Sequence, residues 1–202
     1  TGFDYKLFEK RKEERPNQAQ VGDLTQDVLE SSNRVNQLLT NFLKLSKEEQ
    51  KGTMAPLNVV ELINELLHLL RKRWNDDNIV VRWEYDANEA VVLGDKNRLM
   101  QVFLNVLLNS LDAMNGGGTL TVRVKDGGQD WKVIISDTGK GIQTWNLPWI
   151  FNPFFSTKPE GTGLGLSISH EIIQQHDGKM YADSEPGQGA IFYIHLPKAE
   201  GE

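Results

Sequence analysis

The stretch that most constrains this chain is Gly161-Thr162-Gly163-Leu164-Gly165-Leu166, which runs directly into Ser167-Ile168-Ser169-His170-Glu171-Ile172-Ile173. Glycines at alternate positions let the backbone enter φ > 0 conformations and approach a ligand with no side chain in the way. Leu164, Ile168, Ile172 and Ile173 recur at helical spacing, so an amphipathic helix follows the loop. A glycine-rich loop feeding a helix N-terminus presents unpaired N–H groups and the positive end of the helix dipole, which suits phosphate. A tight turn ahead of a buried helix explains the same glycines. The choice depends on whether the chain also supplies a base-binding acid and a metal ligand.

Composition narrows the setting. A chain of 202 residues and 22.9 kDa suits one ordinary domain plus an appendage. Hydrophobic residues at 39% and charged ones at 25% describe a folded, soluble protein. The net charge of −6 argues against a general nucleic-acid binder and leaves room for a local basic pocket. Without cysteine, disulfides and thiolate chemistry are excluded. No apolar run is long enough to cross a bilayer and no signal peptide opens the chain. The expected location is cytoplasmic, any membrane anchor lying in a region outside this chain.

Along the chain, Leu24, Val28, Val35, Leu38 or Leu39, Phe42 and Leu45 step by fours and threes, with Ser31 in the missing place. That is the seam of a bundle or coiled-coil helix; an amphipathic helix packed on its own domain has the same pattern. Gly52–Pro56 breaks it and reads as a linker. Leu57–Trp74 reads as one helix, Ile79–Tyr85 and Val91–Leu93 as strands, and Lys96–Met114 as a helix introduced by Gly94-Asp95. Thr119–Lys125 and Trp131–Ser136 form a hairpin about Asp126-Gly127-Gly128. Residues 138–160 are irregular and 164–176 helical, and Lys179–Ser184 and Ala190–Leu196 close a sheet. The expected fold is α+β: a two-layer α/β sandwich with a mixed, mostly antiparallel sheet, preceded by a long bundle-forming helix.

Three further stretches carry chemistry. Asn105 and Asn109 share one face of an otherwise apolar helix, with Asp112 following. A carboxamide oxygen is a hard-cation ligand, and Mg²⁺ on phosphates takes only one or two protein ligands; hydrogen bonds to backbone are the plainer use of such a pair. Asp137, in Asp137-Thr138-Gly139-Lys140-Gly141-Ile142 at a strand end, is an acceptor-only group when ionised. It can accept the exocyclic amine of adenine and reject guanine's carbonyl, or it can simply belong to a turn. In Ile150–Lys158, Phe151, Phe154 and Phe155 anchor the loop in preference to stacking on a base, and Lys158 is a solvated lysine or a phosphate contact.

In this order the four motifs resemble the nucleotide-binding domain shared by sensor histidine kinases, DNA gyrase, the heat-shock chaperone of ninety kilodaltons and the MutL repair proteins. Asn105–Asn109 resembles its N box, Asp137–Ile142 and Gly161–Leu166 its glycine boxes, and Phe151–Lys158 its F box. The ending from His176 through Ser184 and Gly189 to Pro197 is similar to histidine kinases in particular, and the likeness covers about residues 55–198. Asn109-Ser110-Leu111-Asp112-Ala113-Met114 is nearest the nitrogen-regulation and sporulation branches.

The resemblance implies ATP with Mg²⁺ on Asn109, Asn105 as its polar support, and Lys158 assisting the phosphates. It implies a nucleotide site that also draws on Asp112, Asp137, Gly139, Gly141, Ile142, Thr157, Gly161, Thr162, Gly163, Leu164, Gly165 and Leu166. Residues 143–163 would form a lid, here short and rich in tryptophan (Trp145, Trp149). Where gyrase and the chaperone carry a glutamate base for water, this chain has Asn105, so hydrolysis should be slow and the γ-phosphoryl group kept for a protein acceptor. Ala190 stands where the family often has a threonine near the adenine-reading acid.

The helix at 24–47 resembles the second helix of the kinases' dimerisation hairpin, and Gly2–Arg15 the tail of the first. The family's acceptor-histidine box is absent, and His68, His170, His176 and His195 are expected to be structural. The implied organisation is a partial dimerisation hairpin over 1–52 and an ATP-binding domain over 53–202. The implied partners are a histidine-bearing dimerisation helix, a response regulator receiver domain and a second copy in the full-length protein, with no nucleic acid. A serine-protein kinase of the anti-sigma type and a non-catalytic nucleotide-sensing scaffold stand as alternatives.

Overall fold

The computed structural model describes residues 53–158 and 161–199. The expected hairpin remnant and bundle helix lie outside the described residues. Ala55–Asn58 (β1) pairs antiparallel with Val91–Gly94 (β3), so the end of the expected linker is a strand. Asn58 then caps the helix Val59–Leu69 (α1), its side-chain oxygen accepting the N–H of Val60 at 3.0 Å and of Ala90 at 3.1 Å. The single helix expected over Leu57–Trp74 is therefore shorter at its start, because Asn58 is better satisfied as a cap than inside a turn. It is also divided at Leu70 (ψ 0°), after which Arg71–Asp76 (α2) continues.

Five strands make the main sheet: Ile79–Tyr85 (β2), Gly118–Asp126 (β4), Asp130–Asp137 (β5), Lys179–Ser184 (β6) and Ala190–Pro197 (β7). Their order is β2-β4-β5-β7-β6, with β2 and β4 parallel and every other pair antiparallel. The β4–β5 hairpin turns where expected, Gly128 adopting φ 88° and donating its N–H to the Asp126 carboxylate at 2.7 Å.

Two helices, Lys96–Ala113 (α3) and Gly165–Gln175 (α4), pack against each other and on this sheet. On α3 the buried positions are Leu99, Val102, Phe103, Val106, Leu107, Ser110 and Leu111, alternating steps of three and one that lay one stripe on the sheet. The facing strand residues are every second one: Leu120, Val122 and Val124, then Val133 and Ile135, then Phe192, Ile194 and Leu196. The opposite face is only partly covered, as an antiparallel sheet with one wet side allows. The fold is the two-layer α+β sandwich the sequence called for.

His176 ties the layer's ends together. Its Nδ1–H donates to Ile172 O at 2.7 Å and its Nε2 accepts the N–H of Asp95 at 3.0 Å, so both ring nitrogens are used in a buried position. His195 donates to Asp130 at 2.6 Å. Both are structural histidines, as expected.

Candidate nucleotide site

The last half of α3 carries the chemistry. Asp95 caps that helix, its carboxylate accepting the N–H groups of Asn97 at 2.8 Å and Arg98 at 3.2 Å, which sets the phase in which Asn105, Asn109 and Asp112 emerge. Asn105 faces the start of α4: its Nδ2 donates to Gly165 O and to Ser169 Oγ, both at 3.2 Å. One turn on, Asn109 Oδ1 accepts from Lys158 Nζ at 3.0 Å, and Asp112 Oδ2 accepts from the same ammonium at 2.8 Å. The other oxygen of Asp112 holds Arg73 of α2. Thus an N-box carboxamide, an acid and the F-box lysine, drawn from places 46 to 49 residues apart, form one polar cluster. Arg73 was missed from the sequence, since an arginine in a short polar helix carries no signal of its target.

Asp137 ends β5 with 3% of its surface exposed. Its Oδ1 accepts the N–H of Gly139 at 2.9 Å and of Ala190 at 3.3 Å. Burial pushes its pKa up from 3.8, opposed by hydrogen-bond donation from Gly139, by the nearby Ser110 hydroxyl and by Ala190. The glycines around it are demanded by packing. A Cβ on Gly139 would lie 2.5 Å from the carbonyl oxygen of Ala113, the end of α3, and one on Gly189 would overlap the Asp137 backbone. Gly141 (φ 67°) faces the carbonyl of Glu185 in the β6–β7 turn. Ile142 N–H donates to Ser184 Oγ at 2.8 Å and Gly187 N–H to Lys140 O at 2.9 Å, so the first glycine box is moored to that turn.

The second glycine loop packs on the F box. Gly163 (φ 68°) lies against the backbone of Phe154 and Phe155, and Gly161 against Ser156. Thr162 Oγ1 accepts the N–H of Leu164 at 3.4 Å, Leu164 is buried, and Leu166 and Ile142 are half-buried. Thr157 is exposed. No side chain caps α4, unlike α1 and α3. Its first-turn N–H groups therefore lack a side-chain acceptor, and Gly165 stands there with nothing closer to its Cβ position than Asn105 at 3.7 Å. Phe151 rests on His170 with ring centroids 5.1 Å apart, as an anchor should. Phe154 does not anchor anything: at φ 66° it turns outward and is 72% exposed. Trp145 and Trp149 are exposed beside the 3₁₀ turn Leu147–Trp149.

Among the described residues no three His, Cys, Asp or Glu side chains converge to hold a metal. No helix among them is long and apolar enough to cross a membrane.

A two-layer sandwich with an acid at a strand end, a polar helix face and two glycine loops defines a nucleotide-binding domain. The family described as histidine kinase-, DNA gyrase B- and HSP90-like ATPase matches residues 94–200, and the chain belongs to it. It is 35% identical to sporulation kinase A of Bacillus subtilis (strain 168) over 85% of its length and 28% of that protein's. It is 34% identical to the sensor histidine kinase ZraS of Escherichia coli (strain K12), over 92% of this chain and 40% of the relative. The chain thus spans well under half the length of these relatives. Among solved structures it resembles the catalytic domain of histidine kinase ThkA, with a TM-score of 0.67 and 32% identity over 72% of this chain and 95% of that one.

Proposed function

We propose that the chain is the ATP-binding catalytic part of a two-component sensor histidine kinase, which moves the γ-phosphoryl group of ATP to a histidine on a dimerisation helix. The observation that carries this reading is the state of Asn105. A carboxamide has no basic lone pair with which to activate water, and the N–H side of this one is committed to Gly165 and Ser169. Asn105 therefore acts as a strut between the N-box helix and the phosphate-facing end of α4. Phosphoryl transfer depends mainly on positioning and electrostatics, so a site without a base for water preserves the group for a docked acceptor.

The remaining roles follow from position. Asp137 reads the exocyclic amine of adenine with a carboxylate whose other contacts are backbone N–H groups. The uncapped α4 and Gly165 receive the phosphates. Asn109 is the metal ligand: its Oδ1 already faces an ammonium cation, which fits a hard-cation donor, and ATP's phosphates would complete the coordination. Mg²⁺ bound there would neutralise charge on the phosphate oxygens. Lys158 then serves the phosphates. The ATP-binding domain covers 53–202 and the preceding residues belong to the dimerisation hairpin; the full-length protein is a homodimer that passes the phosphoryl group to a response regulator, in the cytoplasm. The names of the related kinases support the histidine-kinase reading.

The test is a titration with ATP and Mg²⁺ of wild type beside Asn109→Asp and Asp137→Asn, followed by incubation with a histidine-bearing hairpin. Saturable binding lost in Asp137→Asn, with phosphate appearing on the histidine, is the expected result. Transfer to a serine protein instead would move the chain to the anti-sigma type. ATP binding with no transfer to any hairpin would leave a nucleotide-sensing scaffold.

A further inference from the structure

A carboxylate stands where a polyphosphate is expected, and its neighbours account for it. Asn109 Oδ1 and Asp112 Oδ2 accept from the same Lys158 ammonium at 3.0 and 2.8 Å, so the two oxygens lie no further apart than those lengths end to end. An uncompensated acid that close to the metal ligand repels a triphosphate, and water screens the repulsion only in part.

The compensating charge comes from a different helix. Arg73 of α2 donates its Nη2 to Asp112 Oδ1, the oxygen that Lys158 does not use. Its Nε also stands 3.9 Å from Asp77 Oδ2 on its own helix. The break at Leu70 lets α2 begin afresh, and α2 packs against β2 with Trp74, next to Arg73 in sequence, buried. One carboxylate is thus shared by two cations, one on each oxygen: Lys158 from the F box and Arg73 from α2.

The charges of this trio decide how freely Lys158 can leave. With all three side chains together the net charge is positive. When Lys158 turns to the phosphates, Asp112 keeps Arg73 and the pair left behind is neutral. Without Arg73, the same movement strands a bare carboxylate beside the nucleotide, and Asp112 holds Lys158 the harder.

We propose that Arg73 is a positioning residue of the nucleotide site: it keeps Asp112 neutralised and so releases Lys158 to the phosphates. It acts through Asp112 and not on the nucleotide itself. This rests on the roles given above to Asn109 and Lys158 toward Mg-ATP, and it adds a residue that lies outside all four motifs.

The experiment is a double-mutant cycle. Wild type, Arg73→Gln, Asp112→Asn and the double variant are titrated calorimetrically with Mg-ATP at about 0.05 M and about 0.5 M salt, and each ligand-free chain is melted. Arg73→Gln is expected to weaken binding about three- to tenfold at the lower salt and by less at the higher. Asp112→Asn should bind at least as tightly as wild type, and adding Arg73→Gln to it should change affinity less than about twofold. Because the Arg73 and Asp112 side chains are 46% and 36% exposed, melting midpoints should stay within about 4 °C of wild type.

Wild-type affinity in Arg73→Gln would overturn the inference and leave the ATP reading standing. So would a loss that is just as large when Asp112 is already asparagine, since Arg73 would then act by packing or by touching phosphate directly. Weaker binding by Asp112→Asn than by wild type would also overturn it, because the acid would then serve the nucleotide itself. A wild-type chain that binds no Mg-ATP would take the ATP reading down together with this one.

Discussion

Gly163 and Gly165 occupy neighbouring places in one glycine motif, and their replacement by alanine should separate stability from binding. At Gly163 the backbone sits at φ 68°, a left-handed conformation that costs an alanine about 1–2 kcal/mol. The new Cβ would also stand 2.6 Å from Phe154 O and 2.7 Å from Phe155 N, backbone atoms that can yield only if the whole F-box loop shifts. A loss of about 2 kcal/mol lowers the melting midpoint of a domain this size by about 4–8 °C. Gly165 opens α4 with Asn105 as its nearest neighbour at 3.7 Å, so Gly165→Ala should gain between zero and about 1 kcal/mol from helix propensity. The same methyl group intrudes where phosphate would approach the uncapped helix, and ATP affinity should fall at least about tenfold. Differential scanning fluorimetry and calorimetric titration with Mg-ATP read the two effects separately. A Gly163→Ala midpoint within about 1 °C of wild type, or a Gly165→Ala drop as large as that of Gly163→Ala, would refute this account of the loop.

Asp137→Asn should raise stability while abolishing ATP binding. Burial lifts the folded-state pKa of Asp137 above its unfolded value, so its stabilising contribution is present below the unfolded value and lost as pH rises through the folded one. At pH 7 the wild type therefore carries the cost of a buried charge, and the melting midpoint of the asparagine variant should exceed it there, the gap closing in acid. Lys158→Ala removes an ion pair whose side chains are both 36% exposed, so urea denaturation should show a change below about 0.5 kcal/mol. Mg-ATP affinity should fall several-fold in that variant and depend less on salt, because a phosphate-directed cation has gone. Phe103→Ala empties a fully buried place in α3 and should cost about 3–5 kcal/mol by chemical denaturation.

Much of the layout was legible because periodicity reports which face an element buries. The stripe from Leu99 to Leu111 and the alternation on β4, β5 and β7 reveal helix and strands without any partner in view. The misreadings fell where a local signal competes with a distant one. Ala55 and Pro56 looked like linker because their pairing strand lies more than thirty residues on, and Asn58 looked helical because its second target, the N–H of Ala90, is equally remote. Phe154 looked like an anchor, whereas its positive φ, beside the backbone of Gly163, turns it to solvent.

By itself the sequence determined the order of elements, the one-sided core, the family, and the residue types that handle nucleotide, since these depend on spacing along the chain. Only the tertiary structure decided who meets whom. It brought Lys158 onto Asn109 and Asp112 with Arg73 behind them, engaged Asn105 with α4, and set Gly139 against the last carbonyl of α3. Those contacts join segments far apart in the chain, and their geometry is set by how α3 and α4 pack over the sheet.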